Sequence, residues 1–100
     1  MEKQKTQVAF SAKAEENIFQ IKIYIYLKGY PETAESFADK LYDFGYTLNN
    51  FPDKYPICRF QKLAKRNLRC AVFDRTYILT YKVVKDKLII YNVIHGKTLK

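Results

Sequence analysis

The chain changes its hydrophobic rhythm halfway along. From residue 12 to 49 apolar side chains recur every three or four positions, the period of an α-helix. Ala14, Ile18, Ile21 and Ile25 form one stripe, which Phe19 and Tyr26 widen; Ala34, Phe37, Ala38, Leu41, Gly45 and Leu48 form a second. From Leu68 to Gly96 the sequence reads LRCAVFDRTYILTYKVVKDKLIIYNVIHG, runs of β-branched and aromatic residues broken only at Asp74-Arg75 and Lys85-Asp86. Such runs suit a pleated, half-buried surface, and short polar breaks between them signal hairpins. The pattern predicts three consecutive antiparallel strands over 68–73, 76–84 and 87–95.

Local signals place the remaining elements. Residues 6–10 form a short strand candidate, with Val8 and Phe10 on one face. Ser11 follows, and its hydroxyl can accept from free N–H groups at a helix start. Glu15 and Glu16 lie where the helix dipole favours negative charge. Gly29 stops helix one (12–28) as a residue just past a helix end would. Pro31 opens helix two (32–49), where its missing N–H costs nothing. The short connection predicts a helical hairpin. Small residues at Ala34, Ala38 and Gly45 predict close approach of the two helices. Phe51-Pro52 ends the helical half, and 53–67 reads as loop.

Within the strands, alternation predicts one face with Tyr77, Leu79, Tyr81 and Val83 and another with Ile78, Thr80, Lys82 and Val84. In the last strand it groups Leu88, Ile90 and Ile94 against Ile89, Tyr91, Val93 and His95. Both faces are partly apolar, which predicts helices on one and partial cover on the other. The expected architecture is α+β, an N-terminal strand and helical hairpin packed on a small twisted antiparallel β-sheet, in one domain over residues 1–100.

Composition narrows the function. Forty-eight per cent hydrophobic content with sixteen per cent aromatics describes a chain with a packed core rather than a disordered one. No apolar run approaches the roughly 18–20 residues that span a bilayer, and the N-terminus lacks a secretory h-region. The expected setting is cytoplasmic, without membrane attachment. Cys58 and Cys70 come with no second pair and no His cluster, so neither a zinc site nor a cofactor is expected. In a cytosol they read as two free thiols in or near the core.

Charge is divided unevenly. Residues 1–53 hold six Lys/Arg against eight Asp/Glu; residues 54–100 hold twelve against two. The net charge of +8 therefore belongs to the sheet half, and a one-sided basic field favours a polyanionic partner. Its densest patch is Arg59, Lys62, Lys65 and Arg66.

Taken in order, the segments AEENIFQIKIYI, ETAESFADKL, NNFP, the LR before a strand, RTYILTYKV and the closing VIHGK resemble the RelE/ParE superfamily of toxins from bacterial type II toxin–antitoxin (plasmid stabilisation) systems. The resemblance runs nearly end to end. It implies the same strand, hairpin and sheet, and a cognate antitoxin that wraps the toxin in a hetero-oligomer. RelE-like members cut mRNA on the ribosome; ParE-like members poison DNA gyrase.

RNA cleavage by 2′-hydroxyl attack needs a base, cations for the charged phosphorane-like state and an acid. Arg69 matches a basic position of RelE-like strands, but Ala71, Ile78 and Thr98 stand where further Lys or Arg would be expected. No C-terminal Tyr follows. The resemblance is thus ParE-like rather than RelE-like. A nuclease here would need an altered set: His95 as acid or base, helped by Tyr77, Tyr81 or Tyr91, with Arg69 and Lys97 as phosphate cations. A third alternative is an inactive remnant that only binds antitoxin. For an acidic antitoxin segment, Arg59, Lys62, Arg66, Arg69, Lys82 and Lys97 are the candidate contacts.

Overall fold

The structure, a computed structural model, describes residues 7–96. Strand β1 (Gln7–Phe10) leads into helices α1 (Ala12–Leu27) and α2 (Pro31–Thr47). A long connection carrying the short helix α3 (Gln61–Ala64) then leads to β2 (Arg69–Phe73), β3 (Tyr77–Val84) and β4 (Lys87–His95). Helix α3 corrects the expectation of plain loop across 53–67. The sheet runs β1-β4-β3-β2. Strands β2, β3 and β4 pair antiparallel, whereas β1 joins β4 in parallel, so the sheet is mixed.

The helix ends follow the residues expected to make them. Ser11 Oγ accepts from Ala14 N at 3.0 Å and donates to the Tyr91 carbonyl at 2.9 Å, so the cap also ties α1 to β4. At the other end Gly29 takes φ +97°. Tyr30 N donates to Ile25 O and Gly29 N to Tyr26 O, the two bonds of a Schellman turn. Pro31 occupies the first turn of α2, and Lys22 pairs with Glu35 across the hairpin at 3.0 Å.

One core lies between hairpin and sheet. It is built from Ala14, Ile18, Ala38, Leu41, Leu48, Ala71, Leu79, Tyr81, Leu88, Ile90 and Val93. The α2 stripe is as expected: Phe37 packs on Phe73 and Tyr77 with centroids 5.7 and 5.4 Å away. Gly45 works differently from its expected role. A Cβ there would lie 2.5 Å from Phe10 and 2.8 Å from Ile90, so this glycine lets α2 approach the sheet rather than α1. Phe19 and Tyr26 do not widen the buried stripe of α1; both are more than half exposed.

A β-bulge reorders β4. The register shifts between Thr80 and Tyr81, so that Tyr81 faces Ile90 while Thr80 faces Asn92, leaving Tyr91 as the extra residue. Val93 and His95 therefore join Leu88 and Ile90 on the helix face, opposite Leu79 and Tyr77, and Ile94 moves to the other face beside Ile78. This overturns the simple alternation expected for the last strand. Asn17 Oδ1 on α1 accepts from Val93 N at 3.0 Å just past the bulge. No helix among the described residues is long and apolar enough to cross a membrane.

Candidate functional site

The second face of the sheet is covered by the connection between α2 and β2. Thr80 on that face is fully buried, as are Leu68 and Cys58 from the connection, all three apart from the main core. Several bonds pin the segment. Tyr81, on the helix-side face of β3, donates its hydroxyl to the Pro52 carbonyl at 2.6 Å and holds the start of the connection. Arg69 donates to the Tyr55 carbonyl and pairs with Asp53 at 3.4 Å. Ile57 bridges Arg69, with Cys58 N donating to Leu68 O and Cys70 N to Pro56 O.

Cys58 and Cys70 are joined by a disulfide across this bridge, their Cα atoms 5.0 Å apart. That corrects the expectation of two free thiols. The cause is topological: the chain leaves the sheet edge at Cys58 and returns to it at Cys70, so twelve residues of separation close into adjacent rungs. Two cysteines flanking one basic loop between turn-rich segments were the available signal.

The loop held in this way presents the basic patch. Arg59, Lys62, Lys65 and Arg66 are exposed. Lys82 Nζ donates to the Arg66 carbonyl at 3.2 Å, and the Arg66 guanidinium lies 5.4 Å from the Tyr91 ring centre. Arg66 and Lys82 are thus brought together, with Arg59 and Lys62 on the same connection. Arg69 is drawn away to the helix-side face by Tyr55 and Asp53. Lys97 lies outside the described residues.

His95 stands elsewhere. It ends β4 with its ring 5.2 Å from that of Tyr77, and both line a cavity of about 300 Å³ with Gln20, Ile21, Tyr24 and Val93. Burial raises the Tyr77 phenol above its ordinary pKa, so it stays protonated through neutral pH. Arg69 faces Tyr81 and His95 faces Tyr77, positions four residues apart on β3. At about 3.3 Å per residue that is about 13 Å along the strand, before the width of the sheet is added. His95 and Arg69 therefore do not converge on one phosphate. Of the tyrosines weighed as helpers, only Tyr77 adjoins His95. Tyr81 is buried with its hydroxyl committed, and burial raises its pKa while Arg69 pulls it down.

A second feature is the apolar surface of the hairpin. Phe19, Tyr24, Tyr26, Leu27 and Tyr30 are all more than half exposed, and Leu27 at its tip is 78 % exposed. Single exposed apolar residues are ordinary; here five fall within twelve residues of sequence.

Comparison with known proteins gives a family and a fold. The family described as ParE toxin of type II toxin-antitoxin system, parDE, matches residues 8–99. A solved structure, the chromosomal ParDE TA system from P. aeruginosa, superposes with a TM-score of 0.80 over 93 % of this chain and 98 % of that one. Sequence identity between the two is 11 %, so that likeness speaks for the fold. No curated protein matches.

Proposed function

The chain belongs to the ParE toxin family of type II toxin–antitoxin systems, and we propose that it acts by binding an essential target, DNA gyrase, without hydrolysing it, until a cognate antitoxin neutralises it. The observation that carries the non-hydrolytic reading is the separation of His95 from Arg69, together with the commitment of Arg69 to Tyr55 and Asp53. Cleavage of a phosphodiester needs its acid, base and cation within hydrogen-bond reach of one phosphate.

The antitoxin is proposed to bring an acidic, amphipathic segment that folds as it docks. Arg59, Lys62, Arg66 and Lys82 supply the positive rim, and the exposed aromatics of α1 supply apolar contact. Lys97 and Arg69 complete the candidate set from the sequence. The toxin is proposed to work in the cytoplasm, where gyrase is found.

One observation favours a second reading, an mRNA endonuclease on the ribosome: His95 packs on Tyr77 at the wall of a cavity of about 300 Å³. Expression in bacteria with and without the neighbouring antitoxin gene separates the two. Loss of supercoiling or DNA damage with intact mRNA supports the gyrase reading. Transcripts cut inside codons, with protection by His95→Ala, support the nuclease. No growth effect leaves a remnant that binds antitoxin alone.

A further inference from the structure

The disulfide lies at an open groove. About 590 Å³ of space is lined by Tyr55, Pro56, Ile57, Phe60, Val72 and Ile78, and both Cys58 and Cys70 form part of its wall. Arg59 is the one charged residue on the lining. The volume falls in the range that takes a small-molecule ligand, and the cross-link closes the segment that carries the basic patch.

We propose that this groove is a docking site for a small anionic thiol of the glutathione class, which exchanges with Cys58–Cys70 and so sets how tightly the basic loop is clasped to β2. The proposal rests on the cytoplasmic setting given above, because disulfides in that compartment are usually transient, catalytic or redox-sensing.

Access and charge set the direction of the exchange. Cys58 is 3 % exposed whereas Cys70 is only half-buried, so the incoming thiolate reaches Cys70 Sγ. A new bond forms between the ligand sulfur and Cys70. The Cys58–Cys70 bond breaks, and its electron pair leaves on Cys58 as a thiolate that takes a proton from water. A second thiol then attacks the ligand sulfur. The ligand departs as its own disulfide, and Cys70 becomes a thiol. The two ligand thiols give up the two electrons that reduce the cystine, which is the oxidant. Arg59, the charged residue on the groove lining, holds the ligand carboxylate.

With the bond open, the connection keeps its backbone bonds, the Arg69 contacts and the bonds from Tyr81 to Pro52 and from Lys82 to Arg66, but loses its covalent tie to β2. The loop of 12-residue separation regains freedom, and Arg59, Lys62 and Arg66 are no longer presented as one surface.

The test measures exchange rates of the folded, oxidised protein with glutathione and with cysteamine, a cationic thiol, trapping mixed disulfides with acid for mass spectrometry. Wild type should react faster with glutathione relative to each thiol's rate on a small disulfide, and the first adduct should map to Cys70. Arg59→Glu, at an exposed position that leaves the core intact, should slow glutathione by roughly tenfold and not cysteamine. Equal slowing of both thiols, an adduct on Cys58, or exchange only after denaturation would overturn the site. Elution from immobilised heparin reads the consequence: the reduced protein should leave at lower salt, and identical elution of both states would overturn the regulatory half. Neither assay uses gyrase or antitoxin, so failure here leaves the toxin reading standing.

Discussion

Tyr81 ties the main core to the start of the long connection. Its ring is wholly buried in the core, while its hydroxyl donates to the Pro52 carbonyl. Tyr81→Phe keeps the ring and strands the Pro52 carbonyl, so unfolding should become easier by about 1–2 kcal/mol, read by chemical denaturation. The same hydroxyl gives a pH signature. Burial raises the folded-state pKa of Tyr81 above 10, the value in the unfolded chain. The stability this contributes is complete below pH 10 and drains away as pH climbs from there through the raised value. Tyr42 and Tyr77 are shifted the same way, chiefly by burial. Wild type should therefore lose stability above pH 10, and Tyr81→Phe should lose less over the same range. Asn17 is the second residue of this kind. Its side chain accepts from Val93 N next to the bulge, and Asn17→Ala should cost about 1–2 kcal/mol by leaving a part-buried donor unpaired.

At the scale of elements, two close approaches define the fold. The first is α2 on the sheet at Gly45. Alanine there gains about 1 kcal/mol of helix propensity, but its Cβ would sit 2.5 Å from Phe10, which is itself packed on Tyr42 and Tyr46. Overpacking of about 1–3 kcal/mol wins, so Gly45→Ala should lower the melting temperature. The second is the β2–β3 turn, where Asp74 and Arg75 both take positive φ, 55° and 58°. That is the geometry of a type I′ hairpin turn, which prefers glycine second. Arg75→Gly should stabilise the fold by about 0.5 kcal/mol. These elements also mark what the sequence could disclose. Both helix ends, all four strands and the two hairpin breaks were legible, because each rests on local signals: Ser11, Gly29, Pro31 and the period of the apolar positions. The bulge was not legible, since it depends on how β3 pairs with β4 and on α1 supplying Asn17. Nor was the role of Gly45, which is decided by a strand thirty-five residues earlier.

Over the whole molecule, charge and shape divide the labour. The first 53 residues are slightly acidic and supply the hairpin and β1; the last 47 are strongly basic and supply the other three strands and the clasped loop. The basic loop and the family were legible from composition and from the order of motifs. The disulfide was not, because free thiols are the ordinary state in a cytosol and only the folded topology brings Cys58 beside Cys70. The candidate site was legible in part: Arg59, Lys62, Arg66 and Lys82 share a region, whereas Arg69 serves the fold and His95 lies about 13 Å or more away along the strands. Lys62→Glu with Arg66→Glu should weaken the antitoxin complex at least tenfold at low salt, with the gap narrowing as salt screens it. Unchanged affinity would remove the loop from the interface.

As proposed, this toxin blocks a target by binding rather than by cleaving RNA. Purified protein added to a DNA gyrase supercoiling reaction tests it most directly, with His95→Ala run beside wild type. Inhibition by both proteins is the predicted result. Undisturbed supercoiling, together with cleavage of ribosome-bound mRNA that His95→Ala abolishes, would contradict it.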